Sequence, residues 1–505
     1  MSANQAPRAG RREWIGLAVI ALPSLLYSMD LTVLYLAVPS LSQDLQPSSS
    51  QLLWITDIYG FLIAGLLITM GTLGDRIGRR RLLLIGAAAF GAASVLAAFS
   101  TSAEMLIAAR AVLGVAAATL APSTLSLIRN MFHDPSQRTV AIGIWVTSYS
   151  VGAAIGPLVG GLLLESFWWG SVFLIAVPVM VLLLAVGPRL LPEYRDPEPG
   201  RFDVASAALS LVSVLAVVYG FKRIAEEGFG SLPALSIAAG LAVGAVFLHR
   251  QGRLSDPMID VRLFRAPAFS ASLAANALSL FAVFGMELFI AQYLQLVLGM
   301  GPFEAGLWTL PSAGGFIVGS MLAPVIARRV SPGSLVAGGL ALTAAGLGVL
   351  TQIGVESGLA VLVTGSVVMA LGAAQVITLS TDLIVGAAPP ERAGIASGIS
   401  ETGAELGGAF GIAVLGSIGT AVYRNDVGHA VPDTLGGAMG AADRLSAGVI
   451  EAATGAFAHG FHVAAATSAV LMLGMAVLAA VLLREGHPDP EPEPLVGRAA
   501  AAEAG

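Results

Sequence analysis

Apolar residues along the chain come in blocks of about twenty, and charged residues gather between the blocks. A helix of that length crosses a bilayer core of about 30 Å. In that core every backbone polar group must be bonded internally, so runs rich in Leu, Ala and Gly read as helices. The pattern predicts an all-α integral membrane protein with fourteen spans, at 14–38, 52–73, 82–100, 104–128, 139–164, 169–188, 204–221, 232–249, 269–298, 304–326, 333–353, 358–385, 393–422 and 460–483. Only a few residues around Thr101 separate the third from the fourth. The first block, Trp14–Val38, follows Arg8, Arg11 and Arg12 as in a signal peptide. It is longer than a signal h-region of about 7–15 residues and reads as an uncleaved first helix.

Charge placement orients the spans. With both termini cytoplasmic, inner loops and tails hold 21 of the 26 basic residues, including Arg201, Arg392, Arg484 and Arg498. The outer loops hold four, Lys222, Arg223, Arg424 and Arg444, and Arg110 is left inside the fourth span. That bias follows the positive-inside rule. With 56% hydrophobic and 11% charged residues, the chain has too little charge for a soluble surface. The net charge of −6 adds little. Two Pro- and charge-rich breaks, Pro192–Asp203 and the segment ending at Pro267, divide the chain. The expected units are a six-helix bundle at 1–191, a linker with two extra helices at 192–265, and a second six-helix bundle at 266–484. The second bundle carries a long outer loop at 424–458, and a disordered cytoplasmic tail is expected at 485–505.

Some chemistry is excluded. With no cysteine there is no disulfide, thiolate metal site or cysteine nucleophile. The single lysine, Lys222, precedes Arg223, so the chain has no Gly-Lys-Ser/Thr phosphate loop. Energy for transport must come from an ion gradient, a substrate gradient or another subunit. No cofactor, metal site or nucleic-acid partner is expected. His459 and His462 share a helix face, but two histidines alone do not make a metal site.

Several side chains are out of place in a bilayer. Arg110 costs about 2.5–3.5 kcal/mol on insertion scales and should face a cavity or a carboxylate. Asp30 and Asp57 each follow an aromatic residue by one turn, Tyr27 and Trp54, and Tyr59 lies close by. A carboxylate beside aromatic faces suits a lipophilic cation. An interfacial acid with Trp54 and Tyr59 as belt anchors is the alternative for Asp57. Glu401 and Glu405 share one face of the thirteenth span by their i, i+4 spacing, roughly opposite Gly403, Gly407 and Gly411. Two carboxylates this close resist double ionisation, which permits proton uptake. Asp30 and Asp57 are therefore expected to recognise a cation and Glu401 and Glu405 to carry the proton. Glu287 is a weaker candidate, and Asp382 reads as interfacial.

Two glycine patterns complete the reading. Gly71, Gly74, Asp75, Arg76, Gly78 and Arg79 lie in the loop after the second span, where the glycines permit a tight turn. Gly152, Gly156 and Gly160 recur every four residues beside Pro157 and Gly161, a face for close helix contact. The Gly71–Arg81 spacing resembles the loop signature of the major facilitator superfamily. Leu106, Arg110 and Gly114 match that family's fourth-helix pattern, and Gly152-x-x-x-Gly156-Pro157-x-x-Gly160-Gly161 resembles its antiporter motif. Together with Asp30-x-Thr32-Val33, Trp54-x-x-Asp57-x-Tyr59 and the Glu401/Glu405 pair, these resemble the fourteen-helix drug:proton antiporter branch, within it the exporters of quaternary ammonium biocides and dyes. The resemblance implies two pseudo-symmetric bundles around a cavity that opens alternately to each side. It implies cation recognition and proton exchange at Asp30, Asp57, Glu401 and Glu405, and a role for Arg110 in proton coupling. Some relatives carry a further acid in the tenth span, and this chain has none there. The expected protein is a monomer in the cell membrane, exchanging protons for small cationic drugs. The alternatives are an exporter of a neutral or anionic natural-product antibiotic and an uncoupled facilitator.

Overall fold

The computed structural model describes residues 8–195, 203–228, 230–254, 257–354, 358–386, 393–428 and 431–483. Arg201, Arg392, Arg484, Arg498, residues 196–202 of the linker and the tail expected at 485–505 lie outside them. Among the described residues thirteen helices are long and apolar enough to cross a membrane, and a bent first helix makes fourteen. They are α1 (Arg11–Leu45), α2 (Ser49–Ile77), α3 (Arg79–Ala98), α4 (Ala103–Met131), α5 (Pro135–Ser166) and α6 (Ser171–Leu190). Then come α7 (Val204–Glu227), α8 (Ser231–Gln251), α9 (Pro267–Gln292), α10 (Pro302–Ile326), α11 (Pro332–Leu350), α12 (Gly358–Gly386), α13 (Ala393–Val427) and α14 (Ala447–Leu482).

The boundary around Thr101 holds. Ser102 caps α4 by accepting from the Met105 backbone N–H. Helix α14 starts thirteen residues earlier than the hydropathy pattern places it (Ala447 against 460). The outer loop is shorter accordingly, and it holds a short helix, Leu435–Gly440. In α1 the halves Arg11–Asp30 and Thr32–Leu45 meet at 44°, so Asp30 sits at the bend.

The first six spans form one bundle and the last six another. Glycines set the closest approaches. A Cβ on Gly152 would lie 2.2 Å from the Leu25 carbonyl oxygen, and one on Gly156 2.2 Å from Thr32 Oγ1, so this face seats α5 on α1. On α13 a Cβ on Gly407 would lie 2.2 Å from the Ala277 carbonyl and one on Gly411 2.1 Å from that of Phe281. This face packs on α9 and turns the glutamates the other way. Gly411→Val is expected to lower the thermal midpoint of the purified protein, since overpacking costs about 1–3 kcal/mol. Gly474, with nothing within 4 Å of its would-be Cβ, is the control position. Equal midpoints for Gly411→Val and Gly474→Val would show that the α9–α13 contact does not depend on the bare glycine face.

At the arginine-rich end the expected Gly71–Arg81 loop is mostly helical, since α2 runs through Gly71, Gly74, Asp75 and Arg76 to Ile77 and α3 starts at Arg79. Gly78 alone makes the turn, and the segment is a tie point. Gly78 turns with φ 110°, where a side chain is strained. Arg79 Nε donates to Asp75 Oδ1 at 2.9 Å and its Nη1 to the Pro122 carbonyl of α4 at 3.3 Å. Gly71 and Gly74 leave room for Pro122 and for the Arg79 stem. Arg80 donates to the Pro188 and Leu191 carbonyls of the α6 end at 3.1 and 2.9 Å.

The two bundles touch near the opposite end. Gly161 of α5 lies against Phe303 of α10, and Gly306 of α10 against the Pro157 carbonyl. Gly60 and Leu53 of α2 meet Ala409 and Gly416 of α13, and Gln295 Nε2 donates to the Leu36 carbonyl at 3.1 Å. The two extra helices are not remote. Helix α7 pairs with α8 and lies along the α2–α13 seam, where Phe61, Val218, Ala409 and Ala413 are buried together.

Candidate functional site

The centre of the first bundle is built around Arg110, which is fully buried. Its Nη1 meets Asp30 Oδ2 at 2.5 Å and its Nε donates to the Ile55 carbonyl at 3.1 Å. Its guanidinium lies 4.5 Å from the Tyr59 ring centre and 5.9 Å from that of Phe173. A buried charge needs a partner and satisfied hydrogen bonds, and Asp30, Ile55 and the rings supply most of them. Arg110 Nη2 and the Tyr59 hydroxyl have no protein partner, so donor capacity is left over next to the ion pair.

Glu405 of α13 reaches this centre from the other bundle. It accepts a hydrogen bond from the Tyr27 hydroxyl of α1. Tyr27 packs against Tyr59 at 6.2 Å and Tyr149 at 5.4 Å between ring centres, and Trp145 adds a ring 4.9 Å from Tyr149. Glu401, one turn nearer the arginine-rich end, is exposed and within electrostatic reach of Tyr149 of α5. The two glutamates thus face the aromatic side chains of the first bundle across the seam. No Arg or Lys ion pair to either is seen among the described residues. The seam is closed on one side of this site by the α2–α13 and α5–α10 contacts. Glu401 is open to solvent on the other.

The second acid of the first bundle is placed differently from the sequence reading. Asp57 is buried and its Oδ1 accepts from Lys222 Nζ at 2.8 Å. The ammonium also lies 3.6 Å from the Trp54 ring centre. The sequence pattern places Lys222 in an outer loop, just past a span expected to end at 221. It instead lies within α7, fully buried, because that helix runs to Glu227 rather than ending at 221. Arg110 is therefore not the only basic side chain held inside a span. The aromatic-plus-carboxylate arrangement at Trp54 and Asp57 does hold a cation, and that cation is the chain's own.

Other candidates separate from the site. Glu287 of α9 is half-buried near Tyr35 of α1. Asp382 is exposed. His459 Nδ1 pairs with Asp426 Oδ2 at 2.7 Å, whereas His462 bonds to the Ile353 carbonyl. No group of three or more metal-capable side chains is found among the described residues. Sequence reasoning also missed Trp145 and Tyr149. They lie one turn apart just before the Gly152 repeat, and their i, i+4 spacing was the available signal.

The chain is similar to known transporters along most of its length. It is 44% identical to the multidrug efflux pump LfrA of Mycolicibacterium smegmatis, over 94% of this chain and 97% of that protein. It is 38% identical to the methyl viologen resistance protein SmvA of Salmonella typhimurium, over 80% of this chain and 82% of that one. It is 34% identical to the tetracenomycin C resistance and export protein of Streptomyces glaucescens, over 84% and 78%. Among solved structures, a bacterial homologue of the lysosomal transporter Spinster, in an inward-facing and unoccupied conformation, superposes with a TM-score of 0.66 at 18% identity, over 94% of this chain and 98% of that one. That likeness establishes a shared fold. With the family model matched over residues 20–412 in addition, the chain belongs to the Major Facilitator Superfamily and is a multi-pass membrane transporter.

Proposed function

We propose that the chain exports lipophilic cationic drugs, biocides and dyes from the cytoplasm in exchange for protons, as a monomer in the cell membrane with both termini inside. The observation that carries this is Glu405, an acid bonded across the seam between two bundles to the hydroxyl of Tyr27, whose ring packs on Tyr59 and Tyr149. Carboxylate and ring faces together suit an organic cation and exclude an anion. The names of the relatives support export of drugs, and one of them supports a cationic substrate.

In this reading the arginine-rich end faces the cytoplasm, and the substrate enters past Glu401. A cation that pairs with Glu405 displaces the Tyr27 hydroxyl, the hydrogen bond that joins the two bundles at the site. Ligand binding thereby changes the relative stability of the two bundle arrangements, which is the requirement for driving alternating access. A proton taken up from outside returns Glu405 to its neutral state and releases the cation. Arg110 and Asp30 respond in the same step, because the unpartnered Nη2 can donate to a second acceptor when Asp30 is protonated.

The test is export from proteoliposomes with an imposed pH gradient, using tetraphenylphosphonium as monocation, methyl viologen as dication and an uncharged dye. One pH unit supplies about 1.4 kcal/mol per proton. Both cations are expected to move against their gradients, and the movement should stop when a protonophore collapses the pH gradient and the potential. Undiminished export after collapse would overturn the coupling. Export of the uncharged dye alone would favour the antibiotic-exporter reading, which the tetracenomycin relative supports.

A further inference from the structure

Helix α7 belongs to the pair of spans that stands outside the two six-helix bundles, yet it delivers a cation into the interior of the first. We propose that Lys222 is a tethered counter-cation that a transported organic cation displaces from Asp57 and Trp54 during export, making Lys222 a determinant of substrate charge. This rests on the reading above, that the substrates are cations.

Three observations support it. The site has the chemistry of a cation receptor: Asp57 Oδ1 at 2.8 Å and the Trp54 ring at 3.6 Å from one ammonium, with both charged side chains fully buried. It is not saturated, for Asp57 Oδ2 is buried without a hydrogen-bond partner. A purely structural pair would be expected to satisfy both oxygens, since each unsatisfied buried acceptor is destabilising. Finally, α7 lies on α2 and α13 together, through Phe61, Val218, Ala409 and Ala413. These two helices meet at the closed end of the seam and must separate when it opens, so α7 cannot keep all its contacts through a cycle. A lysine is suited to release in a way arginine is not, being a point charge on a flexible stem without a bidentate fork.

Because Lys222 is the only lysine of the chain, amine chemistry reports on it alone once the peptide is identified by mass spectrometry. The purified full chain in lipid nanodiscs is treated with an amine-reactive acetylating reagent at constant pH, with and without saturating tetraphenylphosphonium. Lys222 is expected to be protected without the cation and modified at least about tenfold faster with it, as a shift of about 1.4 kcal/mol in its exposed population requires. Asp57→Asn sets the upper limit of reactivity. If proteoliposomes transport tetraphenylphosphonium while Lys222 stays equally protected, the pair is a fixed structural tie and the inference fails with the export reading intact. If no cation is transported or bound, the export reading itself has failed.

A second arm uses selectivity. Lys222→Met uncovers Asp57 and is expected to raise transport of methyl viologen relative to tetraphenylphosphonium by about tenfold, one extra carboxylate being available to the second charge. An unchanged ratio in folded K222M overturns the assignment. Should K222M not fold, the double variant D57N/K222M replaces both charges, and lysine protection in the wild-type chain decides the matter by itself.

Discussion

Arg110→Ala is expected to leave a purifiable transporter that has lost export driven by a pH gradient. The variant removes a 2.5 Å contact to Asp30 and a 3.1 Å hydrogen bond to the Ile55 carbonyl. Hydrogen bonds to charged groups contribute about 1.5–3 kcal/mol each, and about 3 kcal/mol corresponds to roughly a hundredfold in an equilibrium. A drop of roughly a hundredfold in coupled transport is therefore expected. Asp30 is left without its partner but lies at the bend of α1 and keeps 13% of its side-chain surface, so it can take a proton rather than remain a buried charge. The check measures wild type and variant in parallel for monodispersity, thermal midpoint and drug-stimulated proton flux. A variant that aggregates would show Arg110 to be a structural keystone. A folded variant with normal proton flux would remove it from the coupling machinery. Arg110→Lys sharpens the comparison, since it keeps the charge and loses the fork that bonds Asp30 and Ile55 together.

The fold was legible because the bilayer imposes a strong rule. Spans must be apolar over about 20 residues and arginines must collect at one end, and both signals survive in a single sequence. The glycine repeats were legible for the same kind of reason: only a bare face lets α5 approach the Leu25 carbonyl and α13 the Phe281 carbonyl. What failed to appear was pairing between distant segments. Lys222 is 165 residues from Asp57, and its own neighbours, Arg223, Glu226 and Glu227, describe a helix leaving the membrane. Nothing local says that the lysine points back into the protein. The start of α14 was missed because Glu451 and His459 lower the hydropathy of a segment that is helical all the same. The roles proposed above for the acids differ from the sequence expectation for a related reason. Aromatic neighbours along a helix marked Asp57 as a cation site, but the helix packing decides which cation arrives there. Asp30 is likewise committed to Arg110. This leaves Glu405, joined to the first bundle only through the Tyr27 hydroxyl, and Glu401 as carboxylates facing the seam without a basic partner among the described residues.

That placement makes Glu405→Gln the variant with the largest expected effect on binding. Loss of one charged partner of a half-buried cation costs about 1.5–3 kcal/mol, so affinity for tetraphenylphosphonium is expected to fall about ten- to a hundredfold. Glutamine keeps the acceptor for Tyr27, so the cross-bundle hydrogen bond and the fold are retained. The pH dependence gives the sharper signature. If proton and cation compete for one carboxylate, binding is fully present above the pKa of that carboxylate in the free protein. It weakens as pH falls through that value, by up to tenfold per unit for one proton released. Wild type should show this slope, together with release of a proton on drug addition, and Glu405→Gln should be flat and release none. A weaker but still pH-dependent variant would move the proton to Glu401, the other acid facing Tyr149. Tyr27→Phe separates the remaining role. It leaves the carboxylate and removes only the hydroxyl, so cation affinity should stay within a few-fold while the transport rate changes, because the bond that reports occupancy to the other bundle is gone. If Tyr27→Phe and Glu405→Gln lose affinity equally, the tyrosine is part of the binding pocket and the link between bundles lies elsewhere.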